Sequence, residues 1–246
     1  MKGINSKEAR QYAVQELLRT KLNGIVKKSD IQPRTLRAFG ELLGDSQTVS
    51  FNYKESAKIL AGEALLRDNR IFIGTHLAFG IAKVPMLASG SGGATVLAPG
   101  NMEVISYPHP DMFANASVPV TSFGGNSGSA STATELQAIR MFFNGKVTLK
   151  TDNKIRLEDF PMSRFSILTQ YGAYFQRQLE YVDMFSAWMF DGSQENTALI
   201  QFMSGKYDGI AGNPTTHRNY GVSEFEGFEI VCDAIKLPQI KAALAM

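Results

Sequence analysis

The chain contains few of the residues from which metal and catalytic sites are usually built. Its 246 residues include one cysteine, Cys232, and three histidines, His76, His109 and His217. A single cysteine cannot form an internal disulfide, so the fold must rest on its hydrophobic core. No histidine has the spacing of a metal motif with another histidine or with Cys232. We therefore expect no metal ligands, no cofactor and no catalytic residues.

Two short segments are similar to functional loops but lack the residues that would complete them. Gly-Asn-Ser-Gly at residues 125–128 is similar to the loop around a serine-protease nucleophile, yet no partner His or Asp is placed for it. The glycine-rich residues 89–93 lack the Gly-Lys-Ser/Thr ending of a phosphate-binding loop. His76 lies in an apolar segment, where a buried, hydrogen-bonded histidine is the simpler interpretation. We expect the protein not to be an enzyme.

Long apolar runs are absent as well. No stretch of about 18 apolar residues occurs, so no segment is expected to cross a membrane as a helix. Residues 1–20 are too charged for a secretory signal and lack its apolar centre. We therefore expect synthesis in the cytoplasm.

Positive charge is concentrated near the N-terminus. The net charge is only +2, but residues 1–40 carry nine basic and three acidic side chains, a local balance of +6 that leaves −4 for the rest. A basic arm on a mildly acidic body is typical of proteins that touch a polyanion, either a lipid head-group surface or a nucleic acid.

Residues 7–22 have the pattern of an amphipathic helix that stops at Asn23 and Gly24. Two interpretations are open. The apolar stripe packs on its own domain and the charges are solvated, or the helix lies on an anionic surface. The residues assigned to the stripe are Ala9, Tyr12, Ala13 and Leu17, together with Val14 and Leu18.

Strand patterns dominate the rest of the chain. Val147 and Leu149, then Ile155 and Leu157, alternate with polar residues around a polar turn, which predicts a hairpin. Short strands with turns at close spacing favour an all-β sandwich or barrel. Further strands are predicted at 48–53, 70–84, 94–97, 102–107, 197–203 and 227–237, and short helices at 33–43 and 239–244.

A segment earlier in the chain has a sequence similar to that of the hairpin. Residues 62–73 read like residues 145–157 with one insertion, and the Asp-Asn-basic-Ile core at Asp68 recurs 84 positions later at Asp152. If the repeat is real, the chain holds two similar β domains in tandem. Residues 123–131, rich in Gly and Ser, would be a loop or the linker between the halves.

A Phe- and Gly-rich β protein with a basic N-terminal helix and two similar halves resembles a known family. It is similar to the double jelly-roll major capsid proteins of icosahedral bacteriophages with an internal lipid membrane. The stretch Asn-Gly-Lys-Val-Thr-Leu-Lys-Thr-Asp at 144–152, with Phe160-Pro161 and Arg164-Phe165, also resembles virion proteins of lipid-containing flavobacterial phages.

The resemblance implies an all-β fold of two tandem eight-stranded jelly rolls with a short basic N-terminal helix. Residues 1–46 would be the helical arm, 47–133 the first jelly roll and 134–246 the second. Three chains would form a pseudo-hexagonal capsomer that tiles an icosahedral shell. If the repeat is chance, a single jelly roll with extra loops is expected instead.

The implied partners are other copies of the chain, the viral membrane and other virion proteins such as a vertex protein, without direct sequence-specific nucleic-acid binding. The expected location is the virion capsid. The alternative is a β-sandwich binding module, or a minor virion protein, recognising carbohydrate or a protein through exposed aromatics such as Tyr171, Tyr174, Tyr181 and Trp188. The residues expected to face the membrane are Lys2, Lys7, Arg10, Arg19, Lys21, Lys27 and Lys28.

Overall fold

The computed structural model describes residues 6–44, 46–58, 60, 62–89, 96–99, 105–107, 142–152, 154–165, 182–203, 217–231, 233 and 235–244. Strands make up most of this part. The helices are α1 (Ser6–Lys21) and α2 (Leu237–Leu244). The strands are β1 (Ile31–Glu41), β2 (Thr48–Asn52), β3 (Arg70–Ser89), β4 (Val96–Pro99), β5 (Ile105–Tyr107), β6 (Lys146–Thr151), β7 (Lys154–Pro161), β8 (Val182–Asp191), β9 (Asn196–Gln201) and β10 (His217–Val231).

The named strands form two antiparallel sheets. The larger, six-stranded sheet has the order β1-β10-β3-β4, and β5 and β8 also pair with β3. The smaller, four-stranded sheet has the order β2-β9-β6-β7. The expectation of an all-β protein with a short N-terminal helix is confirmed.

The strand order is that of a single jelly roll. Apart from β4 and β5, the strands pair as one long folded-over hairpin: β1 with β10, β2 with β9, β3 with β8, and β6 with β7. Wrapping that hairpin into a sandwich adds two further pairs, β10 with β3 and β9 with β6. Eight strands connected in this way are the jelly-roll arrangement. Strands β4 and β5 lie within the connection from β3 to β6.

Strands from both expected domains share each sheet. In the larger sheet, β10 from residues 134–246 lies between β3, from residues 47–133, and β1, from the expected helical arm. In the smaller sheet, β2 pairs with β9. The described strands therefore form one sandwich and do not separate at residue 133.

The hairpin prediction is confirmed, but the similar segment at residues 62–73 folds differently. Asp152 lies in the turn between β6 and β7. Asp68 precedes β3, and the residues before it bridge to other elements, Ala64 to Arg37 and Leu66 to Lys54. The two aspartates occupy non-equivalent positions, so these segments are not copies of one structural unit.

Phenylalanine side chains fill the space between the sheets. Phe72 and Phe79 of β3, Phe190 of β8 and Phe225 of β10 are buried in one cluster with Phe51 of the smaller sheet. The rings of Phe190 and Phe225 meet edge to face, with centroids 4.8 Å apart. Such pairs add to the stabilisation that comes from the buried area itself.

Both helices cover the outer face of the larger sheet. Leu18 of α1 and Leu22, just after it, pack with Ile71 and Phe228 of that face, as does Ile240 of α2. Within the described residues, no helix is both long and apolar enough to span a membrane.

The predicted apolar stripe of α1 is confirmed for Val14 and Leu18 and wrong for its other four residues. Tyr12 is 65% exposed and Leu17 45%, and Ala9 and Ala13 are exposed beside them. Leu18 packs on the sheet, with Val14 beside it. Ion pairs as well as apolar packing set the orientation of α1, because the basic residues near its start pair with acidic side chains of the sheet.

The helix predicted for residues 33–43 is a strand. Arg34 and Arg37 of β1 form ion pairs with Glu229 and Glu224 of β10, while Leu36 points into the core. Pairing with β10 along the whole of β1 supplies hydrogen bonds and burial that outweigh the local helix propensity.

The sandwich has two unlike ends. Strands β1, β3, β7 and β9 end at one of them, so the connections 42–47, 90–145, 162–181 and 202–216 all leave from it. The other end, which we call the short-loop end after its turns 152–153 and 192–195, also holds the connection 53–69 from β2 to β3, the start of β1 and the end of β10.

Candidate functional site

The first two turns of α1 are held to the larger sheet by ion pairs. Lys7 Nζ lies 2.6 Å from Glu226 of β10, and Arg10 Nη1 lies 2.7 Å from Asp183 of β8. Gln11 Nε2 donates a 3.2 Å hydrogen bond to the same Glu226. Two of the side chains expected to face a membrane therefore contact the protein's own carboxylates.

A β-bulge places His76 beneath this part of α1. His76 faces Glu226 and Gly74 faces Gly227, so Thr75 is the extra residue on β3. Thr75 Oγ1 donates to the Glu226 carbonyl oxygen at 3.1 Å and lies 2.9 Å from His76 Nδ1. Because the hydroxyl proton goes to the carbonyl, we assign the proton on the ring to Nδ1. The expectation of a buried, hydrogen-bonded histidine is confirmed.

The surroundings of His76 lower its pKa. Burial is the largest cause, since only 3% of the residue is exposed and the charged ring would lose its hydration. The carboxylates of Asp183 and Glu226 oppose this effect, and the cations of Lys7 and Arg10 reinforce it. The ring is therefore kept neutral beneath the helix.

The protein should lose stability as the pH falls below 6.5, the ordinary pKa of histidine. The folded-state pKa of His76 is lowered, so in that window the unfolded chain binds more protons than the folded chain. The slope should be visible in urea unfolding free energies measured between pH 7.5 and 5. It should be smaller in His76→Gln. An unchanged slope in that variant would show that other groups cause the pH dependence.

The other predicted basic residues differ from Lys7 and Arg10. Arg19 pairs with Glu16 of the same helix at 2.7 Å. Lys21, Lys27 and Lys28 make no ion pair with the residues that the structure describes, and the last two are exposed. Lys2 lies outside the described residues. The predicted membrane-facing set is thus not one surface.

A second anchor fixes the C-terminal helix. The buried carboxylate of Asp191, at the end of β8, pairs with Lys241 of α2 and accepts hydrogen bonds from the Ser193 backbone N–H at 3.0 Å and from its hydroxyl at 2.7 Å. Burial alone would raise the pKa of Asp191, but these partners lower it. The Asp-Gly-Ser sequence indicates the turn, whereas Lys241 lies too far along the chain to be predicted.

The remaining buried acids are structural. Glu63 accepts hydrogen bonds from the backbone N–H groups of Phe39 and Leu60, each at 2.9 Å, and fixes the connection between β2 and β3. Glu224 pairs with Arg37 at 2.5 Å. Among the described residues, no group of three or more His, Cys, Asp or Glu is arranged to hold a metal ion.

The predicted aromatic platform lies only partly within the described residues. Trp188 is half-buried, and its ring centroid is 6.4 Å from that of Phe225. Trp188 thus packs against the core. Tyr171, Tyr174 and Tyr181 lie outside the described residues.

The most distinctive feature of the described surface is therefore how its cations are distributed. Sequence reasoning found the basic residues but missed Asp183 and Glu226, which lie far away in the chain; Gln11 and Glu226 are 215 positions apart. Comparison of the chain with models of protein families, with curated proteins and with solved structures finds no match.

Proposed function

We propose that the chain is a structural subunit of an icosahedral viral capsid, which assembles with copies of itself above a lipid membrane. The observation that carries this proposal is the strand order. An eight-stranded jelly roll is the architecture of many viral capsid proteins, and also of lectin domains and cupins. Fold alone does not assign function, so the choice rests on what the sandwich contains and presents.

The content of the sandwich favours a structural role. An enzyme on this scaffold would need a pocket with several convergent polar groups. The described space between the sheets is instead occupied by side chains such as Phe72, Phe79 and Phe225. The best-buried acids, among them Glu63 and Asp191, are engaged by backbone and side-chain groups of the protein itself.

The proposal keeps one jelly roll per chain. The eight strands use the sequence from residue 31 to residue 231. A trimer would then present three rolls and not the six of the pseudo-hexagonal capsomer expected from two rolls per chain.

The other proposed partners follow from this assignment. The subunit would sit in the virion capsid, contact neighbouring subunits and a vertex protein through its edges, and face the viral membrane through its basic residues. The proposed partners do not include a nucleic acid recognised by its sequence.

The native mass of the purified protein tests the proposal. We expect a homotrimer, three times the chain mass of 27.0 kDa, because the resemblance to capsid proteins implies a trimeric capsomer and cyclic symmetry closes it. Light scattering over a range of protein concentrations would measure it. A chain that stays monomeric up to high micromolar concentration would contradict the capsomer.

A binding module for carbohydrate or protein is the second candidate. It is favoured by the strand order, because lectin domains also have the jelly-roll architecture. A monomer that binds a glycan or protein ligand would select this alternative.

A further inference from the structure

We propose that the lipid contact is made by a small patch at the short-loop end, formed by Lys27, Lys28, Ile235 and Lys236, rather than by the length of α1. We call it the Lys-Ile patch. The inference rests on the proposed function, in which the subunit lies over a membrane, and it names the surface that meets the lipid.

The two halves of the patch come together through a shared hydrophobic cluster. Ile25 and Val26, just before the two lysines, pack on the cluster that contains Leu18 and Ile31. Leu237, just after Lys236, packs on the same cluster. Ile31 is also paired with Ile230, near the end of β10. The segments 27–28 and 235–236 therefore flank one cluster at one end of the molecule.

Ile235 is presented at the tip of a fixed turn. Its residue is 87% exposed, the highest value among the large apolar residues described as exposed. The Lys236 N–H donates to the Asp233 carbonyl at 2.9 Å and closes the turn. The Ile240 N–H donates to the Lys236 carbonyl at 3.0 Å, and the Ile240 side chain is buried. An apolar side chain is thus held in solvent by an anchored backbone.

The cations of the patch are available to an outside partner. Lys27, Lys28 and Lys236 are exposed and make no ion pair with any residue that the structure describes. Asp30 is the acidic residue nearest in sequence to Lys27 and Lys28. Its carboxylate accepts hydrogen bonds from the Lys27 backbone N–H at 3.1 Å and from the Ser29 hydroxyl at 3.2 Å. By contrast, Lys7 and Arg10 are already paired within the fold.

The chemistry of the patch suits an anionic bilayer. Lysines near a membrane surface are attracted by anionic head groups, and a neighbouring isoleucine can enter the boundary with the acyl chains. A nucleic-acid surface would favour arginine and stacking aromatic side chains. The patch contains neither an arginine nor an aromatic residue, and its most exposed member, Ile235, is aliphatic.

The test is sedimentation of the full-length protein with vesicles of phosphatidylserine and phosphatidylcholine. Each lysine near such a surface contributes a factor of about five to binding. Lys27→Gln/Lys28→Gln/Lys236→Gln should therefore bind about a hundredfold more weakly, and Ile235→Ser about tenfold more weakly. The matched control is Lys146→Gln/Arg164→Gln/Arg218→Gln, which removes the same charge at the opposite end of the sandwich and should change binding less than about threefold.

Several outcomes would overturn the inference. Equal losses in both triple variants would mean that net charge alone drives binding. Tight binding of a single-stranded oligonucleotide that needs the lysines but not Ile235 would favour nucleic acid. A change of native mass in Ile235→Ser, with unchanged vesicle binding, would make the patch a contact between subunits. Wild-type protein that forms trimers but does not bind vesicles would contradict the lipid contact and leave the capsid proposal standing. A monomer that binds vesicles through the patch would support the lipid contact and contradict the capsid proposal.

Discussion

Phe225→Ala should lower the free energy of unfolding by about 3–5 kcal/mol, the usual range for removing a fully buried phenylalanine. Phe225 lies on β10, which joins the first and third strands of the roll. Its ring centroid is 5.3 Å from that of Tyr53 and 4.8 Å from that of Phe190. The cavity would open where the neighbouring aromatic rings converge. Urea unfolding followed by circular dichroism would measure the loss.

Tyr12→Ala is the matched control. It removes an aromatic ring of similar size from the exposed side of α1, where 65% of the residue is accessible, and should change stability by less than about 0.5 kcal/mol. Comparable losses in Phe225→Ala and Tyr12→Ala would mean that α1 is buried against something else or that the core is differently packed.

Gly227→Ala should destabilise the protein by about 3 kcal/mol or more, at the upper end of the range for overpacking. Gly227 faces Gly74 across β10 and β3, next to the bulge at Thr75. An added Cβ would lie 1.9 Å from the carbonyl oxygen of Ile73, so the two backbones would have to separate. The effect should appear as a lower urea midpoint and as weaker protection of the amides along β10 from hydrogen exchange.

Gly24→Ala separates this steric effect from backbone strain. Gly24 has a positive φ of 80° but nothing within 4 Å of an added Cβ. An alanine there is strained by about 1–2 kcal/mol, without any clash. A loss in Gly227→Ala no larger than the loss in Gly24→Ala would contradict the close approach of β3 and β10.

Gly227→Ala bears on the N-terminal helix too. The bulge beside Gly227 sets the position of His76 and of the Glu226 carboxylate that holds Lys7. If β10 shifts, α1 should loosen, and its amides should exchange faster than those of β6 in the smaller sheet. The helix and the strand junction would then behave as one unit.

Elements with a strong local pattern could be predicted from the sequence. The alternation around Val147 and Ile155 predicts the hairpin of β6 and β7, and the polar turn predicted between them lies where the two strands meet. The N-terminal helix was predicted within one residue at each end, because Gly24 can adopt the positive φ that ends it. These features depend on neighbours a few residues apart, which the sequence displays directly.

The tertiary structure decided how those elements are combined. Residues 62–73 resemble the hairpin locally, yet β3 pairs with β10 and β8, whose residues lie more than 100 positions away. Hydrophobic alternation indicates that a strand has a dry face, but it does not name the neighbour. One jelly roll could therefore not be distinguished from two by pattern alone.

The same limit applies to the candidate site. The sequence by itself determined that positive charge gathers in residues 1–40 and that the chain is rich in strands. Only the folded chain decided that Lys7 and Arg10 are neutralised by Glu226 and Asp183, because those carboxylates arrive from strands near the other end of the sequence. Only the folded chain brings Ile25 and Val26 onto the same hydrophobic cluster as Leu237, because that cluster combines residues from both ends of the sequence.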